Sequence, residues 1–403
     1  MKGKDLKPHI GIFGRRNVGK SSFINAITGS DVAIVSDVPG TTTDPVKKSM
    51  EIFGVGPVII IDTAGIDDEG ELGEKRIKKT LEIIKQIDCG ILIISENNFD
   101  IYEKELINRF KKYEIPYLII HNKCDKLLLT DELKQKILNF ENKIEIVEFS
   151  SISKYNLNEV IEKIKKIIPE NVYHTPSILD GIIKHGDIVM LITPIDSEAP
   201  EKRLILPQVM TIRDVLDNNA ISIVLKETEI EHFFKTYNIK PVIAITDSQI
   251  FHYVNKVIPP DIPLTSFSIL FAKLKGPFEE YIKGVKKIDE LEENDLILIL
   301  ESCTHQVNCD DIGRVKIPKW LKTYTGKNLN FDVISGLSEI NRPIKDYKLV
   351  IQCGSCMITK KQTIGRLIEA IEAGVPVTNY GMTIAYINGI FDRVINPFKK
   401  FIK

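Results

Sequence analysis

The segment from His9 to Gly29 limits the possible folds more than any other part of the chain. An apolar run, HIGIFG, leads into the glycine-rich stretch GRRNVGKS at residues 14–21, and the helical pattern SFINAITG follows. Glycine lets backbone N–H groups turn toward a phosphate, and the start of a helix adds further N–H donors. In such a loop the lysine reaches the β- and γ-phosphate oxygens, and the serine hydroxyl coordinates Mg²⁺. The order therefore predicts a strand, a phosphate-binding loop and a helix, with Lys20 and Ser21 on a nucleotide.

Two later segments complete the predicted nucleotide site. The strand pattern GPVIIID is followed by TAG, so that the Asp62 carboxylate can hold Mg²⁺ through water and the Gly65 N–H can meet a γ-phosphate. The strand pattern YLIIH is followed by Asn122-Lys123-Cys124-Asp125. A carboxylate at Asp125 accepts hydrogen bonds from N1–H and N2–H₂ of guanine, whereas the adenine edge would leave it unpaired. GTP is therefore the predicted nucleotide.

The spacing of these strand ends resembles the Ras-like GTPases over the N-terminal part of the chain. The stretch PGTTTD at 39–44 is similar to the first switch of the TrmE/Era branch, which makes Thr42 the implied Mg²⁺ ligand, with Thr41 or Thr43 as alternatives. Asn17 resembles the asparagine through which some members of that branch bind K⁺; the alternative is that it only shapes the loop. The implied catalytic residues are Lys20, Thr42, Asp62 and Gly65. The implied GTP and GDP contacts are Gly14, Asn17, Val18, Gly19, Lys20, Ser21, Ser22, Asn122, Lys123, Asp125, Ser150 and Ser151.

Other reactive side chains in this part of the chain have plainer interpretations. We expect Arg15 and Arg16 to be solvated surface residues. Cys89 and Cys124 lie beside aliphatic strand patterns and are expected to be structural, and His121 is expected to have hydrogen-bond partners at its strand end.

Length and composition bound the rest of the chain. At 403 residues the chain exceeds one ordinary core, so about two to four domains are expected. The net charge of −1 offers no basic surface, and we expect no nucleic-acid partner. No run approaches the roughly eighteen apolar residues of a membrane span, and the N-terminus has no apolar signal segment. Six cysteines are too few for a secreted disulfide framework, so we expect a cytoplasmic protein with no membrane contact.

The pattern predicts an α/β protein of three domains: a P-loop GTPase fold at 1–170 and two small parallel-sheet α/β domains at 171–262 and 263–403. In the middle domain, DIVMLITPI, ISIVLKE and PVIAITD are strand patterns separated by helical ones, and the last domain is predicted to open with a helix that starts at Leu264. So small a sheet leaves uncovered edges, and pairing with the same strand of a second copy would cover them. We therefore predict a dimerisation domain and a homodimer or higher homo-oligomer.

The last domain carries cysteines at two predicted strand ends. Cys303 and His305 follow LILILES, while Cys353 and Cys356 belong to KLVIQCGSC. Parallel strands that end side by side would bring the three sulfurs to one sheet edge, where such sheets bind ligands. Three thiolates plus a nitrogen suit zinc, three thiolates with an incomplete fourth position suit an iron–sulfur cluster, and ordinary buried cysteines are the alternative to both. Gly354 is free to adopt a positive φ that aims both thiols at one centre.

The arrangement CTH, a long gap and QCGSC is similar to the cluster-binding signature of the HydF family, GTPases that help assemble the active site of [FeFe]-hydrogenase. The stretches DIVMLITPIDSEAPEKRLILPQ and DDIGRVKIP extend the resemblance over the whole chain. It implies a [4Fe–4S] cluster on Cys303, Cys353 and Cys356, and a carrier that receives a diiron precursor from radical-SAM maturases and delivers it to apo-[FeFe]-hydrogenase. Where the family usually has His, this chain has Gln352. The fourth ligand is therefore open among His305, Cys309, a carboxylate, water and a ligand of the cargo.

Two other classes remain open from the sequence. One is a GTPase with a structural Cys₃His zinc site, because zinc and iron both accept thiolate and imidazole. The other is a GTPase of RNA or ribosome maturation, as most relatives in the TrmE/Era branch would suggest. The nearly neutral charge weighs against the second class.

Overall fold

A computed structural model describes residues 7–29, 46–63, 83–142, 144–169, 176–195, 203–302 and 311–402. The chain divides into two compact units, Met1–Thr175 and Pro176–Lys403. Each unit has parallel strands covered by helices, so the predicted α/β class is confirmed. Every helix among the described residues is too short or too polar to pass through a lipid bilayer.

The first unit contains a six-stranded sheet. Its strands are β1 His9–Phe13, β2 Val46–Ile52, β3 Gly56–Asp62, β4 Cys89–Ile94, β5 Tyr117–Asn122 and β6 Ile146–Phe149. The strand order is β2-β3-β1-β4-β5-β6, in which β2 runs antiparallel to β3 and all other pairs are parallel. Strands β1 and β4 are buried along their whole length, which explains why they read as unbroken apolar runs.

Four helices flank this sheet within the described residues: α1 Lys20–Thr28, α2 Ile101–Lys112, α3 Asp131–Phe140 and α4 Leu157–Ile167. Helix α2 begins with a capping box, in which Asp100 accepts at the first turn and Glu103 accepts from the Asp100 N–H. Helix α1 begins after Gly19 and has no side-chain cap. The segments that follow β1, β3 and β5 lie at the same sheet edge, because parallel strands share their carboxyl ends.

The second unit contains two four-stranded parallel sheets. Their strands are β7 Ile188–Ile192, β8 Ile221–Leu225, β9 Ile243–Thr246, β10 Leu264–Ser266, β11 Leu296–Leu300, β12 Asn330–Ile334, β13 Leu349–Gln352 and β14 Val377–Asn379. The first sheet has the order β10-β9-β7-β8 and the second has the order β12-β11-β13-β14. The helices are α5 Leu206–Asp217, α6 Ile230–Thr236, α7 Phe251–Val257, α8 Phe267–Lys275, α9 Phe278–Val285, α10 Ile317–Thr325, α11 Lys360–Glu372, α12 Tyr380–Ile387 and α13 Phe391–Ile395.

The two sheets of the second unit share one hydrophobic core, which runs from Ile178 to Phe398 in sequence. The predicted helix start at Leu264 is wrong, because residues 264–266 form β10, the edge strand of the first sheet, and α8 starts only at Phe267. The predicted boundary between the second and third domains, at residues 262 and 263, therefore lies before β10, the last strand of that sheet in sequence. Helix α9 lies directly on β14, since a Cβ on Gly284 would overlap the Val377 carbonyl oxygen.

The opposite edge of the first sheet is open to solvent. Strand β8 pairs only with β7 among the described residues, and the side chains of Ile221 and Val224 are 53% and 42% exposed. An exposed apolar edge strand is a template for pairing with another chain. The sheet thus has the uncovered edge on which the predicted dimer depends.

Candidate nucleotide and cysteine sites

Glycine is required at two positions of the phosphate-binding loop. Gly14 has φ 148° and a Cβ there would overlap the Ile93 carbonyl oxygen. Gly19 has φ 93°, and a Cβ there would overlap the side-chain amide of Asn122. The loop can therefore adopt this conformation only with glycine at positions 14 and 19. It leads into the start of α1, which has no side-chain cap, so its N–H groups suit an anion. Ser21 and Ser22 lie in that first turn and are half-buried.

Lys20 begins α1, which follows β1, and Asp62 ends β3, the strand that pairs with β1. The Lys20 Nζ donates to the carbonyl oxygens of Gly14 at 3.0 Å and Arg15 at 2.8 Å, which keeps the ammonium inside the loop. Asp62 pairs in register with Ile12 of β1, and the Thr63 hydroxyl donates to the Ile12 carbonyl at 2.7 Å. Burial raises the pKa of Asp62 and the charge of Lys20 opposes that shift. Asp62 Oδ1 is buried with no hydrogen-bond partner among the described residues, as suits an oxygen that faces a hydrated cation.

Arg15 is not the solvated residue that the sequence suggested. Its guanidinium donates to both oxygens of Glu103, at 2.7 and 3.0 Å, and forms an ion pair with Asp100. The Glu103 side chain is 1% exposed, and the Arg15 side chain is 19% exposed. These carboxylates raise the pKa of Arg15, with the Glu103 hydrogen bond the largest cause. The contact fixes the phosphate-binding loop to the first turn of α2.

Asn122 joins the phosphate-binding loop to the predicted guanine-binding segments. Its Nδ2 donates to the Val18 carbonyl at 2.8 Å. Its Oδ1 accepts from the Ser151 N–H at 3.2 Å and from the Ser151 hydroxyl at 3.0 Å. The fold thus brings Val18, Asn122 and Ser151 together from three separate parts of the sequence. Ser150 is buried, and its hydroxyl accepts from the Ser153 N–H at 3.2 Å.

The remaining predicted nucleotide contacts differ in exposure. The Asp125 side chain is exposed beyond β5, where a base could reach it. Lys123 has φ 63° and its Nζ lies 3.7 Å from Glu96. Asn17 is exposed with φ 59°, a backbone conformation that asparagine tolerates well, so loop shaping is one role that the structure gives it.

His121 departs from expectation. The residue is fully buried in β5, and neither ring nitrogen has a hydrogen-bond partner among the described residues. Burial lowers the pKa of His121, which keeps the ring neutral at physiological pH. The prediction of a partner at the strand end is therefore wrong.

Several predicted residues lie outside the described residues. In the nucleotide site these are Thr41, Thr42, Thr43 and Gly65. In the cysteine site they are Cys303, His305 and Cys309.

The second site begins at two adjacent strands of the last sheet. Strand β11 pairs with β13 in parallel, and Leu300 is opposite Gln352. The Cys353 N–H continues this ladder by donating to the Leu300 carbonyl at 2.9 Å. The two strands that precede the predicted ligands therefore end side by side, as the sequence predicted.

The Cys353 sulfur lies in a cluster of hydrogen-bonding groups. It accepts from the Ser302 N–H at 3.1 Å and from Gln352 Nε2 at 3.4 Å, and its thiol donates to the Ser302 hydroxyl at 2.9 Å. Gln352 is fully buried, and its Oε1 has no partner among the described residues. Hydrogen bonds to a sulfur stabilise its thiolate and tune any metal bound to it. Ser302 thus contacts a predicted ligand, and the sequence pattern did not indicate this contact.

Residues 353–359, here named the cysteine loop, do not turn as predicted. The left-handed residue is Ser355, with φ 54°, and Gly354 is not among the residues with positive φ. The loop is fixed by Lys275 at the end of α8, whose Nζ donates to the carbonyls of Ser355 at 3.0 Å, Cys356 at 3.3 Å and Ile358 at 2.7 Å. Lys275 is 7% exposed. Its place in an apolar helix gave no signal of this role.

A second cation, the half-buried Arg366, interacts electrostatically with Cys353. Arg366 of α11 donates to the carbonyls of Glu301 at 2.8 Å and Ile334 at 3.3 Å, at the ends of β11 and β12. Burial lowers the pKa of Arg366, and Cys353 opposes that shift. Tyr281 is buried, and burial raises its pKa, with a smaller effect from Cys353 in the same direction.

Cys353 and Cys356 are half-buried and form no disulfide. Within the described ranges, which omit Cys303 and His305, no three His, Cys, Asp or Glu residues form a group that could hold a metal ion. Two half-buried cysteines, with hydrogen-bond donors at the Cys353 sulfur and with buried Lys275 and half-buried Arg366 close by, fit an anionic metal–sulfur group.

Comparisons with known proteins match different family models to the two units of the chain. Residues 9–123 match the family model described as 50S ribosome-binding GTPase, and together with the loop geometry this match makes the first unit a P-loop GTPase. Residues 178–276 match the hydrogen maturase F dimerization domain, and residues 279–397 match the hydrogen maturase F tetramerization domain. The chain belongs to the hydrogen maturase F family. The predicted family is thus confirmed, and the names of the two models support the predicted homo-oligomer.

Individual relatives match the chain in part. The tRNA modification GTPase MnmE of Legionella pneumophila (strain Paris) is 32% identical over 170 residues, which are 41% of this chain and 35% of that protein. GTPase Era of Caldicellulosiruptor saccharolyticus is 28% identical over 169 residues, 40% of this chain and 55% of that protein. The chain thus spans well under two thirds of these relatives. A solved Era variant from Aquifex aeolicus, bound to GDP and AlF4-, is 18% identical, covers 62% of this chain and 98% of its own, and gives a TM-score of 0.37.

Proposed function

We propose that this protein is a GTP-hydrolysing carrier of hydrogenase maturation, which holds a [4Fe–4S] cluster on Cys303, Cys353 and Cys356 and delivers a diiron precursor to apo-[FeFe]-hydrogenase. The observation that carries the proposal is the pairing of β11 with β13, because the proposed ligands directly follow these two strands. Membership of the hydrogen maturase F family supports a role in hydrogenase maturation. Radical-SAM maturases would supply the precursor.

Several described residues would have defined roles around such a cluster. Ser302 and Gln352 would hold the Cys353 sulfur in place through their N–H groups. Lys275 would hold the backbone that carries Cys356. A bound cluster with three cysteine ligands would supply one iron whose fourth ligand can exchange. The buried Gln352 side chain stands where the family usually has His, which leaves the fourth position to His305, Cys309, a carboxylate, water or the cargo.

The nucleotide unit would hydrolyse GTP with Mg²⁺. Lys20 and the start of α1 would bind the phosphates, Ser21 and Thr42 would coordinate Mg²⁺, and Asp62 would hold the ion through water. Asp125, with Asn122, Lys123 and Ser151, would select guanine. Asn17 is the candidate for binding K⁺, which would add positive charge beside the phosphates. The nucleotide state would control the exchange of partners.

The test is metal binding by the full chain, purified without oxygen and reconstituted with iron and sulfide. We expect a brown protein that contains iron and sulfide, and loss of both in Cys353→Ala and Cys356→Ala. GTP hydrolysis should be nearly unchanged in these variants, whereas Lys20→Ala should lose hydrolysis and keep the cluster. A colourless protein that carries stoichiometric zinc would overturn the carrier function and favour a structural zinc site. A cysteine variant with full iron content would overturn the ligand assignment.

A further inference from the structure

Lys275 makes an unusual set of contacts for a lysine. It is the last residue of α8, and its side chain enters the protein instead of solvent. Its Nζ lies within 3.3 Å of three carbonyl oxygens of the cysteine loop, at Ser355, Cys356 and Ile358. Burying an ammonium is costly unless its donors are used. One ammonium can donate three hydrogen bonds, and here three loop carbonyls lie within reach.

The helix that presents Lys275 is fixed at its other end too. The Ser268 hydroxyl accepts from Asn379 Nδ2 at 2.9 Å and from the Gly381 N–H at 3.2 Å. Helix α8 also packs against α5 of the first sheet and against α11 and α12 of the second. The ammonium is therefore held at a defined place, and it holds the loop in turn.

We propose that Lys275 is a positioning residue for the cysteine loop and that its positive charge stabilises the reduced state of the metal–sulfur group held there. The inference rests on the proposed function. A [4Fe–4S] centre with thiolate ligands is anionic and gains one further negative charge when an external reductant supplies an electron. A cation fixed at the ligand loop favours that more negative state, since net charge and hydrogen bonding set the potential of such centres.

The experiment compares three full-length proteins after anaerobic reconstitution. Lys275→Gln keeps N–H donors and removes the charge. Lys273→Gln is the matched control, because Lys273 lies on the same helix and donates instead to the Asp180 carbonyl at 3.0 Å. We expect Lys275→Gln to show a more negative reduction potential, in a redox titration followed by electron paramagnetic resonance, and Lys273→Gln to match the unchanged chain. Equal potentials in all three proteins would overturn the charge effect.

A second measurement does not require a cluster. In the apo-protein, backbone amide hydrogens of the cysteine loop should exchange with solvent several-fold faster in Lys275→Gln than in Lys273→Gln, because the loop has lost the contacts that hold its carbonyls. Equal exchange rates would overturn the positioning role. If the unchanged chain took up no cluster, the proposed function would fail while the hydrogen-exchange comparison still decided the role of Lys275.

Discussion

Arg15 and Glu103 form a two-point contact, with nitrogen–oxygen distances of 2.7 and 3.0 Å, that joins the phosphate-binding loop to helix α2. The same carboxylate caps α2 through the Asp100 N–H at 2.8 Å. One buried side chain thus fixes both the helix start and the loop. A nucleotide that binds this loop would meet a conformation that is already held in place.

Glu103→Gln should weaken GDP binding, because the loop would lose a charge-assisted contact. Such a hydrogen bond contributes about 1.5–3 kcal/mol. If part of it supports the bound loop, affinity should fall about threefold to tenfold. Glu105→Gln is the control, since Glu105 lies on the same helix but pairs with exposed Arg109 at 3.1 Å. Titration with a fluorescent GDP analogue would measure both variants, and equal affinities would contradict the prediction.

Lys20→Ala should lower the rate of GTP hydrolysis by about a hundredfold or more, which is the usual cost of removing one donor at developing charge. The variant loses the ammonium that now lies between the Gly14 and Arg15 carbonyls. Phosphate release at saturating GTP would measure the rate. Lys166→Ala is the control, because Lys166 is 72% exposed and pairs with Glu145. A rate within twofold of the control would remove Lys20 from the catalytic residues.

Asp125→Asn should shift nucleotide preference from guanine toward xanthine. The exposed Asp125 carboxylate would accept two hydrogen bonds from guanine, whereas the amide offers a donor that matches the additional carbonyl of xanthine. Competition between GTP and XTP in a hydrolysis assay measures the change. An unchanged preference for GTP would show that another residue reads the base.

Cysteine alkylation in the native apo-protein should be selective. Burial, with a smaller effect from Asp88, raises the pKa of Cys89 well above its usual range, so that almost no thiolate forms at neutral pH. Burial also raises the pKa of Cys124. We expect iodoacetamide at neutral pH to label half-buried Cys353 and Cys356 before either of these, with sites identified by mass spectrometry. Denatured protein, in which all six cysteines should react, is the control. Early labelling of Cys89 would contradict the packing of β4.

Val224→Lys should weaken self-association, because Val224 is 42% exposed on the open edge strand β8 and a charge there opposes strand pairing. Light scattering after size-exclusion chromatography would give the mass. Phe53→Lys, at a residue that is 90% exposed in the first unit, controls for added charge. The same mass for both variants would place the interface elsewhere.

The sequence predicted those parts of the fold that depend on local pattern. The phosphate-binding loop, strands β3 and β5, and the adjacent ends of β11 and β13 follow from apolar runs that stop at glycine or polar residues. Strand β10 was missed because its three residues continue without a break into the apolar helix α8. So short a strand forms only because β9 pairs with it.

Long-range contacts could not be predicted in the same way. The Arg15 partner lies 88 residues away in sequence, and the Lys275 partners lie 80 to 83 residues away. A lysine or arginine in a charged or amphipathic stretch usually extends into solvent, and only the packed fold shows which one does not. Ser355 took the left-handed turn expected of Gly354, so a glycine in a loop does not by itself mark the turning residue.

Because β11 pairs with β13, the ends of these two strands lie side by side whatever the length of chain between them. Between these strands in sequence lie α10 and β12; β12 pairs with the other side of β11, and the turn at Gly336 lies on the connection from β12 to β13. Length added at the Gly336 turn would enlarge a surface connection at small entropic cost and leave the Leu300–Gln352 register intact. The number of residues between Cys303 and the pair Cys353 and Cys356 can therefore vary without moving the strand ends. A sequence search that requires a fixed spacing would miss proteins with the same arrangement of strands.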